Sequence, residues 1–387
     1  MYKIAVVGRG LIGSAAGRHL AESTDGIVVI GPDEPEARAG HDGVFASHYD
    51  EGRMTRHVDP TEAWSITAGQ SIKRYRDLEA RSGVSFYNPV GYLGLGYPGS
   101  TYNDRCAATG QTLGAEIYRL ETAALCAAFP YLNVPDGVDG LVERGGAGYI
   151  SPRRLVAAQN RLAEQAGAHM LRQPLRALRT RATGVALDLW DGTTVHSERA
   201  LIATGAFTTV CGLSPVDLGL TVYGRTTVLV RTDGETAETL RDMPTMIDTL
   251  IGAYILPPIR YPDGKHYLKI GVGDRSDPSF TSLSDLQAWF ASDGSHDNRI
   301  AFTERLKELI PALTHCATWH TDTCAVTHTQ SGLPIIDHVD DRKIVVAVGG
   351  CGKGAKGSDE WGRIAAGLIL DLPWSSAVDR GKLRAPT

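Results

Sequence analysis

The chain has 387 residues, enough for two or three domains, with 42% apolar and 21% charged residues and a formal net charge of −5, ordinary proportions for a globular protein. No stretch approaches the roughly 20 apolar residues of a membrane span, and the absence of a long basic cluster argues against nucleic acid as a partner. The six cysteines, Cys106, Cys126, Cys211, Cys316, Cys324 and Cys351, lack C-x-x-C spacing and read as reduced thiols, neither a disulfide framework nor a metal site. Lys3 leads directly into a strand, which leaves no room for a secretory signal and predicts a cytoplasmic chain.

Ile4-Ala5-Val6-Val7 is a short apolar strand that breaks into Gly8-Arg9-Gly10-Leu11-Ile12-Gly13 and then into a helical pattern from Ser14 to Glu22. This is the spacing of a dinucleotide-binding turn: Gly8 permits the turn, Gly10 lets a pyrophosphate approach bare backbone, and Gly13 lets helix and strand pack closely. A plain glycine-rich turn is the alternative, and nicotinamide and flavin dinucleotides share this half-site. The second strand, 26–30, should end in an acid that accepts from the ribose hydroxyls. Gly31 stands there instead, which leaves the fingerprint incomplete, although Asp33 and Glu34 follow closely enough for a carboxylate to reach the ribose from the turn.

Further along, Trp64, Ile66, Ile72, Tyr75 and Leu78 carry helical spacing from Glu62 to Ser82, and 90–95 reads as a strand. Ser151 and Pro152 open a helix that runs to about Ala166. Residues 185–190 and 193–195, joined by Asp191-Gly192, form a hairpin. Next, 199–206 is a strand ending in Ala203-Thr204-Gly205, which resembles the element by which many flavoproteins return to their cofactor. The region 220–270 is rich in strands without alternating helices and should form a mostly antiparallel sheet. Residues 343–348 form a strand that leads into a glycine-dense loop and a helix from Asp359 to about Leu370. No repeat or low-complexity linker is present. The expected organisation is a discontinuous cofactor domain (1–90, 147–217 and 318–387) with a substrate domain (91–146 and 218–317) inserted into it.

Taken together, several segments resemble the monomeric sarcosine oxidase and N-methyltryptophan oxidase family in order and spacing over nearly the whole chain. They are the opening glycine turn, Ser47-His48-Tyr49-Asp50-Glu51-Gly52-Arg53-Met54-Thr55-Arg56, the strand ending at Gly205, Leu268-Lys269-Ile270-Gly271, Cys324-Ala325-Val326-Thr327 with Ile335-Ile336-Asp337 downstream, and Gly352-Lys353-Gly354-Ala355-Lys356. The resemblance implies an α/β fold with a glutathione-reductase-like, Rossmann-type FAD-binding domain and an inserted, mostly antiparallel substrate domain. It also implies a monomer that oxidises a small amine or amino acid with FAD and O2. Cys324 falls where the family attaches FAD covalently; a small buried hydrophobe is its plainer role. Gly8, Gly10, Gly13, Asp33, Ser47, Arg53, Gly205, Gly352, Gly354 and Lys356 complete the cofactor-binding set.

Arg53 and Arg56 are read as sharing one helical face, with Arg53 against the flavin as a catalytic residue and Arg56 on the substrate carboxylate; a solvated basic face is the alternative. Lys356 matches the second carboxylate-binding group, while Lys353 reads as a solvent-facing loop lysine. Lys269 matches the catalytic lysine that faces flavin and speeds electron transfer to O2; an edge-strand lysine fits its surroundings as well. Tyr254 and Tyr49 are the candidate substrate-contacting aromatics, and a packed core tyrosine is the plainer role of Tyr254. For Cys351 a lining thiol is expected, and for His48, His320 and His328 structural roles.

The departures from the family pattern are Gly31 at the ribose acid, Tyr49 where relatives often carry His, Val326 two residues after Cys324, and Gly273 four after Lys269. They leave the cofactor scaffold in place and imply a rebuilt substrate pocket. The expected reaction is hydride transfer from a secondary or cyclic amine to flavin, giving an imine, with O2 reduced to hydrogen peroxide. A flavin dehydrogenase serving a carrier, an NAD-dependent dehydrogenase and a non-catalytic ligand-binding flavoprotein are the competing classes.

Overall fold

Tyr2–Val7 lies between Ile27–Ile30 and Thr194–Ile202, parallel to both, in the computed structural model, which describes residues 1–36, 40–273 and 277–386. These strands are buried on both faces, which explains their unbroken apolar sequences. Ile4 and Val6 pack with Leu20, Trp361 and Ile364 on one side, and Ala5 and Val7 pack with Val28, Ile202 and Val346 on the other. The alternation follows from the two-residue period of a strand. Thr194–Ile202 is one continuous strand where the sequence suggests a hairpin arm followed by a separate element. Its first half pairs antiparallel with Gly184–Leu189, and its second half pairs parallel with Ile344–Val348. Among the described residues eight strands make up this sheet, the others being His169–Leu171, Leu175–Arg181 and Ile335–Asp340.

Helices Leu11–Ala21 and Gly354–Ile369 cover one face. They approach closely at Gly362, where a Cβ would come within 2.6 Å of Ala15 Cβ and of Ala16 N. Glu62–Ser82 packs beside them, its end marked by Gly83 at φ 67°, a left-handed C-terminal turn that favours glycine. Pro152–Gln165 begins at Ser151, whose side chain accepts from Arg154 N, the N-cap arrangement read from the sequence.

A second sheet has nine strands among the described residues, in which Thr221–Thr232, Ala253–Arg260 and His266–Val272 pair antiparallel. Tyr92–Gly96 and Thr245–Asp248 are its parallel pair. On its packed face Val228, Val230, Leu268 and Ile270 meet Phe302, Leu306 and Leu309 of the helix His296–Leu309. Lys269, between Leu268 and Ile270, therefore points to the opposite face. The strand Trp319–His328, which carries Cys324, hydrogen-bonds to Thr221–Thr232 in this sheet; the division drawn from the sequence placed it with the cofactor segment. Among the described residues no helix is long and apolar enough to cross a membrane.

Candidate active site

The glycine turn has the form the sequence predicts. Gly8 has φ 106°, and a Cβ there would collide with the Ala203 carbonyl oxygen; at Gly13 it would collide with the Gly8 carbonyl oxygen. The helix that follows has Gly10 as N-cap with no side-chain cap, so its first amide groups remain open to an anion. Beside the turn is a cleft of about 480 Å³ whose wall includes Arg9, Asp33, His48, Asn160 and Arg172. Arg9 Nε, His48 Nδ1 and Asn160 Oδ1 are buried there without hydrogen-bond partners. Burial lowers His48 to about 3, with the guanidinium groups of Arg153, Arg9 and Arg53 adding to the effect, so the imidazole is neutral. A glycine cradle with open amides and three unsatisfied polar atoms fits the phosphate and ribose end of FAD. Tyr49 is buried and its hydroxyl donates to the Asp33 carbonyl at 3.1 Å, which ties it to the backbone of a residue that lines the cleft.

From the cleft, residues 47–59 cross between the two sheets. Ser47 Oγ donates to the Ala325 carbonyl at 2.5 Å. Arg53–Thr55 is a short strand paired with Gly148–Ile150, correcting the shared helical face expected for Arg53 and Arg56. Glu143, fully buried, accepts from His57 N, His57 Nδ1 and Val58 N and fixes the far end of the crossing. Gly52 is closely packed: a Cβ would lie 2.6 Å from Ile259 Cδ1 and 2.8 Å from Leu256 Cδ1, so those side chains would have to shift to admit one.

Two cationic groups hang on this segment. In the first, Lys269 is 1% exposed and Nζ donates to Asp50 Oδ2 at 2.5 Å and to the Gly52 carbonyl at 2.6 Å. Asp50 also accepts from Tyr261 Oη at 2.8 Å and contacts the Arg53 guanidinium. The Tyr254 ring lies 5.9 Å from Lys269 Nζ. Burial and then Arg53 push the Lys269 ammonium well below its ordinary range, with Cys324, Asp322 and Glu51 acting in the other direction. Cys324 is raised by burial, while Arg53 and Lys269 favour its thiolate. The structure thus brings Arg53, Lys269, Tyr254 and Cys324 together. His266–Val272 is flanked by strands on both sides, which removes the edge-strand explanation of Lys269.

In the second group, Asp59 is fully buried and receives Lys356 Nζ at 2.6 Å and Lys353 Nζ at 3.0 Å, with Arg56 Nη2 at 3.8 Å. Burial alone would raise Asp59; Lys356, Lys353 and Arg56 outweigh it and hold the carboxyl well below the usual range. Lys356 is lowered to about 8, by burial first, then by Arg56 and Lys353 against the pull of Asp59. Arg56 donates from Nε to the Val58 carbonyl at 2.8 Å and from Nη2 to Tyr102 Oη at 2.5 Å, its Nη1 touches Met54 Sδ, and its plane sits 4.6 Å from the Tyr92 ring centroid. Lys353 therefore belongs to the cluster, a correction to its expected place in solvent. The helix begins at Gly354, five residues earlier than expected, which puts Lys356 in its first turn and Gly357 inside the helix.

Gly352, at φ 68°, lies in the turn before that helix, and the neighbouring Cys351 N donates to the Thr327 carbonyl at 2.8 Å. This bond ties the glycine loop to the strand of Cys324. Gly205, at φ 54°, follows the strand Thr194–Ile202 back to the glycine turn, where Ala203 N donates to the Val7 carbonyl at 2.7 Å. Sequence reasoning did not select Arg9, Asp50, Asp59, Glu143, Tyr102 or Tyr261. The two aspartates had a signal, since each lies three residues from an arginine of the Arg53 and Arg56 pair.

N-methyl-L-tryptophan oxidases of Salmonella arizonae and Citrobacter koseri are each 24% identical over 208 residues, 53% of this chain and 54% of theirs. The chain thus spans about half the length of the curated relatives it matches. Solved structures share the fold along nearly all of it. NikD, an amino acid oxidase essential for nikkomycin biosynthesis, has a TM-score of 0.77 at 19% identity, covering 99% of this chain and 97% of that one. Glycine oxidase from Geobacillus kaustophilus has a TM-score of 0.75 at 20% identity, covering 100% and 98%. Matched by the family model over residues 3–368, this chain belongs to the FAD dependent oxidoreductase family.

Proposed function

We propose that the protein oxidises a secondary or cyclic amine that carries a carboxylate, using FAD tethered at Cys324, and that O2 is the final electron acceptor. The proposed architecture is a glutathione-reductase-like FAD domain with a mostly antiparallel substrate domain inserted into it. The observation that carries the proposal is the single segment 50–59, which presents Arg53 and Asp50 to Lys269 beside Cys324 and presents Arg56 to Lys356 a few residues later. Relatives and neighbours named for N-methyl-L-tryptophan, glycine and iminodiacetate support the substrate class, since each of those compounds joins an amine to a carboxylate.

Bound FAD would supply the two-electron acceptor, taking hydride from the carbon beside the amine nitrogen to leave an imine that water hydrolyses, and returning both electrons to O2 as hydrogen peroxide. The protein's own part is orientation and charge. Arg56 Nη1 is the nitrogen most easily released to a carboxylate, because its partner is only a thioether, a weak acceptor. Its fork sets the carboxylate plane and Lys356 adds a point charge. Three cations around one aspartate leave a formal +2 for an incoming anion. Lys269, whose Nζ donates to Asp50, is the group proposed to act on the negative charge that develops on oxygen.

One observation favours a second reading. Asp50 in contact with Lys269 cancels much of that cation's field, which suits a dehydrogenase that serves a carrier rather than O2. An oxygen-electrode screen of secondary and cyclic amino acids tests both. The oxidase consumes O2 and releases an equal amount of peroxide; turnover only with artificial acceptors establishes the dehydrogenase, and no turnover with either overturns the enzymatic proposal.

A further inference from the structure

The strand Ile27–Ile30 leads into Gly31, the position from which a dinucleotide-binding fold ordinarily offers a carboxylate to the adenosine ribose. No side chain fits there. A Cβ on Gly31 would lie 2.9 Å from Arg9 N and 3.1 Å from both Arg9 Cβ and Cγ. Arg9 fills the space with a side chain only 9% exposed, whose Nη1 donates to the Gly31 carbonyl at 3.0 Å and to Asp33 Oδ1 at 2.8 Å. Asp33 is 49% exposed, and its other oxygen is paired with Arg172 at 2.8 Å. Burial would raise this carboxyl, but the bonds from Arg172 and Arg9 prevail and keep it ionised. Arg9 Nε is left buried with no partner, in a residue that lines the same cleft as Asp33.

We infer that Arg9 and Asp33 act as a pair in place of the missing ribose carboxylate: Asp33, held between two guanidinium groups, accepts from the adenosine ribose hydroxyls of FAD, and Arg9 Nε donates beside it. A buried donor without an acceptor is costly, and a ribose oxygen supplies the acceptor that the protein does not. Gly31 and Arg9 are then one coupled feature: the Arg9 backbone nitrogen, Cβ and Cγ occupy the space in which a side chain at position 31 would start. The inference rests on FAD as the cofactor and adds which residues read its adenosine half.

The test uses the full chain with Cys324→Ser, so that flavin exchanges freely, and measures dissociation constants for FAD and for FMN, which lacks adenosine, by quenching of flavin fluorescence. Arg9→Ala and Asp33→Asn should each weaken FAD by at least about tenfold and leave FMN within about twofold. Unchanged FAD binding in both single variants, or equal losses of FAD and FMN, overturns the inference, the second result by showing a structural role. Failure of the protein with Arg9 and Asp33 intact to bind FAD overturns the cofactor assignment itself.

Discussion

Lys356 Nζ lies 2.6 Å from Asp59 Oδ2, with both side chains almost wholly inside the protein and 297 residues apart in the chain. Asp59 thereby occupies the cation pair, Arg56 and Lys356, that is proposed to hold the substrate carboxylate, and a bound anion has to share it. The internal carboxylate also sets when Lys356 is charged. Burial lowers the lysine to about 8 and Asp59 opposes that fall.

Carboxylate inhibitors should therefore bind well below about pH 8 and lose affinity as pH rises through it, because Lys356 sheds its proton there. In Asp59→Asn the opposing charge is gone, and the midpoint of this loss should move to lower pH. Titration of an inhibitor against the flavin spectrum across pH measures it. A midpoint that stays in place in the variant contradicts the coupling.

Removing either cation should be costly for binding. Truncating one partner of a desolvated charge pair commonly removes about 2–5 kcal/mol, so Arg56→Ala or Lys356→Ala should weaken carboxylate inhibitors well over tenfold. Inhibitor dissociation constants that match those of the unmodified protein would withdraw the amino-acid substrate class.

Covalent attachment is checked by denaturation. Acid precipitation should leave the yellow colour with the protein pellet, and Cys324→Ala should move it to the supernatant. Flavin released from the unmodified protein would exclude the thioether.

Lys269→Met should slow reoxidation of the reduced flavoprotein by O2 far more than its reduction by substrate, because the buried cation matters most as charge forms on oxygen. Equal slowing of the two half-reactions, measured separately by stopped flow, would make Lys269 a structural or substrate-binding residue.

Much of the scaffold was legible because it is written locally. The helix Glu62–Ser82 has its expected bounds, since apolar spacing defines its body and Gly83 its end. The Ser151 cap and the glycine turn are likewise contained in a few adjacent residues. The site was legible only as separate motifs. Arg53–Thr55 is too short for any periodicity to separate strand from helix, and the partners that give Lys269 and Lys356 their charge environment lie 219 and 297 residues away. The arginines three residues away flag Asp50 and Asp59, but nothing near them announces the two lysines. Arg9 was closer to legible: an arginine within the glycine turn, in a chain whose ribose acid is Gly31, is a local pairing of two departures.

Amine oxidation at FAD is tested most directly by mixing the purified flavoprotein, without oxygen, with secondary and cyclic amino acids and following the flavin absorbance. Amine oxidation at FAD predicts bleaching whose rate saturates with amino-acid concentration and is lost with the matching amine that lacks a carboxylate, followed by full recovery of colour and release of peroxide on admitting O2. Flavin that stays oxidised with every amine and amino acid tried would contradict it.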